Sequence, residues 1–430
     1  MEIVKNPGKE KWFELLKRPA RTDEEIQISV REILKDVRKN RDRALKKYTK
    51  ALDNAYVENF RINKEEFENL SRDVGEDLKQ AIIRASGNIE KFHKAQMPET
   101  VTVDMGNGLT CWQKPVPVES VGIYVPGGSA PLFSSVLMMA VPAKLAGCNS
   151  VYLATPPDSS GNINPAIVYA AMISGVDAIF KVGGAQAVAA FAYGTETVPQ
   201  VNKIFGPGNQ YVTLAKQMVN AEGVAIDMPA GPSEVLVVAD SATPADYVAA
   251  DLLAQAEHGA DSQVLFLTEE EKMLEKVNES VTSLMNELPR KDLVEKSLES
   301  SKLILLENND KIMEMVNEYA PEHLILACEN ADEMAEKVVN AGSVFIGRYT
   351  PESLGDYSSG TNHVLPTGGA AKGYSGVNID SFMKKITFQK AEKSGLEDMG
   401  EVTMIMAGKE ELQAHKLAVE IRLATKKQLL

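Results

Sequence analysis

The sequence predicts an α/β protein built on two parallel sheets, and three observations carry that expectation. Short β-branched runs are each closed by a glycine-bearing turn and followed by an apolar helical stretch, and this unit recurs along the chain. The chain is 430 residues long, more than one compact core usually serves. Its 44% hydrophobic and 25% charged residues are the proportions of an ordinary globular protein.

Residues 1–22 read as a polar N-terminal arm. Thr22, Asp23, Glu24 and Glu25 then open a helical region with acids in its first turn, and Ile26, Val30, Ile33 and Val37 recur at helical spacing. The pattern runs to about Phe92; His93, among lysines, reads as exposed. From Val118 the texture changes. A strand is predicted over 121–125, a turn over 126–131 and an apolar helix through Leu145. The same unit follows as strand 178–182, turn 183–186 and helix 187–193, then as strand 203–205, turn 206–209 and helix 210–219. Such units gather their loops at the C-terminal edge of a parallel sheet, where helix N-termini offer N–H groups to anions. No GxGxxG spacing is present. The three turns therefore favour a phosphate-bearing ligand without forming the usual dinucleotide fingerprint.

Further strands are predicted over 235–239, 263–267, 303–306, 324–328 and 343–346, with helices over 269–288 and 331–340. The helices before Val118 have no sheet of their own and are assigned to this second one. The expected organisation is an arm over 1–22, an α/β domain from 23–117 with 235–379, a second α/β domain over 118–234, and a tail over 380–430. The site should lie between the two sheets.

Charge and cysteine usage exclude several function classes. With 46 basic and 60 acidic side chains the net charge is −14, which argues against nucleic-acid and anionic-membrane partners. Cys111, Cys148 and Cys328 show no CxxC spacing, and each reads as a small buried hydrophobe in a reducing compartment. No apolar run approaches the ~20 residues that span a bilayer, and no signal-like start is seen, so a cytoplasmic protein is expected.

The candidate chemistry gathers in the second half. In DLLAQAEHGAD (251–261), Thr243 and Pro244 fit the start of a helix and Gly259 its stop. Gln255 and His258 share one face of the last turn, with Asp251 one turn behind. That edge could grip a divalent metal or simply be solvated. Four of the five histidines, His258, His323, His363 and His415, lie beyond residue 250, each with a carboxylate nearby. A shared site and four structural histidines both remain open. Metal ligation would draw on Gln255, His258, Asp356 and His415, a mixed nitrogen and oxygen set that suits zinc, with manganese or cobalt open on chemistry alone. Asp251 would then orient an imidazole from outside the ligand set. Glu322 and His323 follow Pro321 at the entrance to a predicted strand. Such an imidazole can take a proton from an alcohol and such a carboxylate can activate water, although adjacent Glu and His also arise by chance.

The strings YVPGGSAPLFSSVLMMAVPA, VGGAQAVAA, IFGPGNQYVT, MPAGPSEVLV, DLLAQAEHGADSQV, APEHL, PESLGDYSSGTNHVLPT and LQAHKLAV occur in that order. Together they resemble the histidinol dehydrogenase family from about Val118 to the C-terminus. The resemblance implies two Rossmann-like domains in an intertwined homodimer whose C-terminal tail completes the partner's site. It implies oxidation of L-histidinol to L-histidine through an aldehyde with NAD, one zinc ion per subunit holding the substrate. Carried onto this chain, the zinc ligands are Gln255, His258, Asp356 and His415, and the acid/base pair is Glu322 and His323. Ser233, Gln255, His258, His323, Asp356, Glu410 and His415 would contact histidinol; Tyr124, Gln186 and Asn209 would line the NAD site. His363 matches near the substrate without an assigned role. After Thr367 the chain reads GGAAKGYSG, where the family varies. The spacing of Glu410 and His415 excludes one shared helical face and suggests that Glu410 opens the helix. A dehydrogenase for another small alcohol, a zinc hydrolase using Glu322 as base, and a non-catalytic binding protein are the competing readings.

Overall fold

In the computed structural model the described residues are 1–19, 24–127, 130–228 and 231–424. They form two compact units, Met1–Gln96 with Val118–Phe382, and Met97–Pro117 with Met383–Leu430. Strands are numbered in chain order.

Among the described residues the first unit holds two six-stranded sheets. One contains β2 (Arg61–Asn63), β5 (Ser120–Tyr124), β6 (Ser150–Thr155), β7 (Ala178–Lys181), β8 (Lys203–Phe205) and β9 (Ala225–Ile226). Their order is β2-β7-β6-β5-β8-β9, parallel throughout except that β2 runs antiparallel to β7. The other contains β1 (Glu2–Lys5), β10 (Glu234–Ala239), β11 (Gln263–Thr268), β12 (Lys302–Leu305), β13 (His323–Ala327) and β14 (Ser343–Ile346). It is fully parallel in the order β1-β12-β11-β10-β13-β14. In each sheet the chain steps outward from a central strand, β5 or β10, first to one side and then to the other. That reversal leaves a crevice beside the central strand.

Burial explains why these runs are strands. Every residue of β10 and β11 is buried, so no polar face alternates with the apolar one, as expected of parallel strands covered on both sides. The helix Phe133–Ala146 is likewise buried almost all round and stops at Gly147, whose φ of 90° an L side chain rarely adopts.

Several sequence expectations need correction. The helix Glu24–Leu52, broken at Arg41, packs against the helices Gly184–Tyr193 and Gln210–Ala221 on the first sheet, not on the second. Its Ile26, Val30, Ile33 and Val37 share a core with Phe180 and Phe191. An apolar stripe shows that a helix is covered but not by what; β2, pairing with β7, ties this part of the chain to the first sheet. The N-terminal arm is no free arm either: β1 pairs with β12, and Trp12 and Leu16 enter the core of the second sheet beside Leu236 and Ile304. Thr22 and Asp23, the expected helix start, lie outside the described residues. His93 is buried, with Nδ1 2.9 Å from the Ile89 carbonyl oxygen, and burial lowers its pKa. The three cysteines are free, but only Cys148 is fully buried; burial pushes its thiol up to about 11 and that of Cys328 up to about 12.

The second unit joins the expected tail to Met97–Pro117, which the sequence assigns to the domain of the second sheet, and it contains a sheet of its own. β15 (Met383–Ala391), β4 (Leu109–Pro117) and β3 (Val101–Gly106) run antiparallel in that order. The helices Lys393–Lys409 and Gln413–Ala424 follow and pack on each other. Among the described residues no helix is long and apolar enough to cross a membrane.

Candidate active site

Among the described residues of the first unit, the predicted site residues border a pair of cavities. The smaller, about 490 Å³, is lined by Ser233, Gln255, His258, Glu322, His323, Asp356 and His363 together with Pro207, Gly208 and Asn209. The larger, about 1510 Å³, is lined by Tyr124, Gln186, Asn209, Asp53 and the Gly184 turn. Pro126 and Asn209 border both, so the two spaces meet at the turns of the first sheet. The turns leave the carboxyl ends of β5 and β8, whereas Glu234 and His323 are the first residues of β10 and β13. The smaller cavity therefore lies against the carboxyl edge of one sheet and the amino edge of the other.

Its floor is built by pairing. β10 and β13 are neighbours with Val235 opposite His323, which brings the start of both strands together. The Glu234 N–H donates to Glu322 Oε2 at 2.8 Å, and the Glu234 carbonyl oxygen lies 3.2 Å from His323 Nδ1. A proton on Nδ1 satisfies that carbonyl and leaves Nε2 as the basic nitrogen. Nε2 faces Asp356 Oδ1 across 3.4 Å without hydrogen-bond geometry, so both atoms are buried and unpartnered. Burial alone would lower the His323 imidazole, but Glu322, Asp356 and Glu352 around it hold it well above its ordinary value. Burial works to raise Asp356, yet His323, His363 and His258 together hold it below the usual carboxylate range.

Gln255 sits at the end of the helix Ala245–Ala256. This helix starts one residue beyond Pro244, while the Thr243 hydroxyl is spent on the Ala327 carbonyl rather than on a cap. It also ends before His258, which lies in the following turn and is exposed. The Gln255 amide nitrogen reaches Glu234 O and Glu322 Oε2, both at 3.3 Å, and its Oε1 is left buried without a partner. His363 Nδ1 donates to the Asp356 carbonyl oxygen at 2.7 Å, and Ser135 Oγ lies 3.0 Å from its Nε2.

The donor chemistry suits a divalent cation. Two orphaned oxygens, Gln255 Oε1 and Asp356 Oδ1, border one cavity with the His258 imidazole. A buried oxygen with no donor is costly unless a ligand supplies positive charge. Among the described residues no group of three or more His, Cys, Asp or Glu side chains forms a metal cluster, so this set depends on the glutamine. His415 and Glu410 belong to the second unit. There Glu410 caps the C-terminus of Lys393–Lys409, not the start of a helix, and His415 lies in the first turn of Gln413–Ala424.

In the larger cavity, the Gly184 N–H donates to Tyr124 Oη at 3.1 Å, and both polar atoms of the buried Gln186 amide lack partners. Asn209 caps the helix Gln210–Ala221, accepting from Tyr211 N and Val212 N. Its turn is pinned: the Gly206 N–H donates to Asp227, the Gly206 carbonyl accepts from Lys216, and Lys216 and Asp227 form a buried ion pair. Gly206 has a φ of 125°, and a Cβ there would collide with the Tyr124 carbonyl at 2.0 Å. An unpartnered amide beside a helix N-terminus at a sheet's reversal point is a group a dinucleotide can satisfy.

Of four carboxylates buried or half-buried around the two cavities, sequence reasoning missed Glu352, Asp53 and Glu234. Glu352 is fully buried and burial raises its pKa well above the ordinary value, in the fields of Asp356, Asp251 and Glu322. Asp53 borders the larger cavity and burial pushes it up to about 6; Asp251 is pushed up to about 7 in the same way. Glu234 is buried against Arg18. Only Asp251 carried any signal in the sequence, because burial of a carboxyl has no local motif.

Parallel α/β sheets that bring an imidazole–carboxylate pair beside a glycine-turn cavity place the protein among α/β enzymes with a general acid/base site. The histidinol dehydrogenase family model matches residues 16–423. Histidinol dehydrogenase of Bacteroides thetaiotaomicron is 54% identical over 99% of this chain and 100% of its own length. That of Xanthomonas oryzae pv. oryzae is 48% identical over 95% of both. A crystal structure of histidinol dehydrogenase from Elizabethkingia anophelis superposes with a TM-score of 0.96 at 50% identity, over 100% of this chain and 99% of that one. The chain belongs to the histidinol dehydrogenase family and is an oxidoreductase.

Proposed function

We propose that this protein oxidises L-histidinol to L-histidine by way of L-histidinal, in two NAD-dependent steps assisted by zinc, the last steps of histidine biosynthesis. The observation that carries this reading is the meeting of His323 Nε2 with the orphaned oxygens of Gln255 and Asp356 in one cavity, continuous with the glycine-turn cavity. When bound, the zinc ion would hold the imidazole and amine of histidinol, and the dinucleotide would accept hydride.

The chain's own groups divide the remaining work. Gln255, His258 and Asp356 would hold the ion, with His415 as the fourth ligand. Ser233 and Glu410 contact the substrate, and His363 keeps Asp356 oriented through the carbonyl it binds. Tyr124, Gln186 and Asn209 hold the dinucleotide in the manner of a Rossmann-like sheet. In its neutral form His323 takes the hydroxyl proton on Nε2, which the surrounding carboxylates make a strong base, while its Nδ1 stays anchored on Glu234. Glu322 then draws a proton from the water that adds to the aldehyde, and a second hydride transfer yields the carboxylate. Burial of the pair keeps the aldehyde from bulk water.

His415 and Glu410 are assigned to the site of a second copy. In support, the helices carrying them expose Val402, Ile405, Met406 and Leu417, apolar side chains that a partner would cover.

Replacing Glu322 by Gln and His323 by Asn, separately, tests the assignment. The His323 variant should lower histidinol-dependent NADH formation by about 10²–10⁴-fold, whereas the Glu322 variant should lower acid formation by as much while still releasing aldehyde and the NADH of the first oxidation. Wild-type rates in both would remove the proposal.

A further inference from the structure

The base of the site is clamped from a distant part of the chain. Arg18 grips the Glu234 carboxylate with two prongs, Nε to Oε1 at 2.5 Å and Nη2 to Oε2 at 2.8 Å. Nη2 also donates to the Tyr319 carbonyl at 2.7 Å, and the guanidinium lies 4.0 Å over the Tyr319 ring. That ring is itself fixed by Tyr319 Oη donating to Gln263 Oε1 at 2.9 Å. A third donor, the Gly368 N–H, reaches Glu234 Oε1 at 2.7 Å. The segment bearing Arg18 is held down by the buried Trp12 and Leu16.

Glu234 touches the site only through its backbone. Its N–H holds Glu322, and its carbonyl meets His323 and Gln255. One residue thus registers acid, base and an amide ligand, and its side chain is the one Arg18 grips. We infer that Arg18 is a positioning residue for the acid/base pair, acting through Glu234. The inference rests on the roles proposed for Glu322 and His323.

Without Arg18, the buried carboxylate keeps one backbone donor and pulls its peptide out of register. Displacements of about 1 Å at reacting groups cost on the order of 100-fold in rate. A lysine restores the charge but not the two-pronged geometry. Removing the carboxylate as well removes the pull.

The test uses the full-length, metal-loaded protein and measures kcat, histidinol KM and melting temperature for Arg18→Gln, Arg18→Lys, Glu234→Gln and the double variant Arg18→Gln with Glu234→Gln. Glu322→Gln and His323→Asn serve as parallel controls. Arg18→Gln should lower kcat by about tenfold or more with KM within about twofold, and the double variant should be no slower than Arg18→Gln alone. If Arg18→Gln does not fold, Arg18→Lys must still lower kcat at an unchanged melting temperature. Wild-type kcat in Arg18→Lys and Arg18→Gln, a rise in KM alone, or losses that multiply in the double variant would overturn the inference. Full activity in both controls would instead remove the acid/base reading beneath it.

Discussion

At the scale of single residues, the proposed metal site rests on two buried oxygens left without hydrogen-bond donors, Gln255 Oε1 and Asp356 Oδ1. Asp356→Asn should weaken zinc binding by at least about 100-fold, read as metal content per chain after dialysis. Retained zinc would place the ion elsewhere. Asp251 supports a separate prediction. Burial pushes it up to about 7 from an ordinary 3.8, so over that range the folded chain binds more protons than the unfolded one. Stability contributed by this group is therefore lost as pH rises through that window. Asp251→Asn should raise the melting temperature near pH 8 by on the order of 5 °C, with the gain vanishing near pH 4. Equal gains at both pH values would mean that the carboxyl is not protonated in the fold.

Among elements, the turn between β8 and its helix lines the smaller cavity with Pro207 and Gly208 and reaches both cavities through Asn209. The buried Lys216–Asp227 pair holds both polar groups of Gly206, so Lys216→Met leaves a buried carboxylate unpaired. That change should cost about 3–5 kcal/mol in denaturant unfolding and weaken NAD binding measured by calorimetry. Legibility also divides at this scale. β5, β10 and β13 could be read because strands buried on both faces carry unbroken apolar runs. β3 and β15 could not, since nearly every residue in them is exposed in the single chain and their composition looks like loop. The helix Glu24–Leu52 was legible as a helix, but its stripe carries no address for the sheet it covers. The site was readable as motifs because Gln255, His258, Glu322, His323 and Asp356 sit in distinctive strings. Arg18 and Glu352 were not, since their roles arise from contacts made across hundreds of positions or from burial alone.

For the whole molecule, the proposal that each tail serves a second copy makes a quantitative claim. His415→Asn and His323→Asn chains should each be inactive alone. Refolded together, they should recover on the order of a quarter of wild-type activity, because half of the dimers are hybrids and each hybrid has one intact site. No recovery would place His415 in its own chain's site. The central claim is that one enclosed site carries histidinol through both oxidations with a metal holding it. Limiting histidinol with excess NAD, followed by NADH absorbance before and after chelation, tests this most directly. About two NADH per histidinol, abolished by chelation and restored by zinc, is the predicted result; about one NADH, or a rate indifferent to chelation, would contradict it.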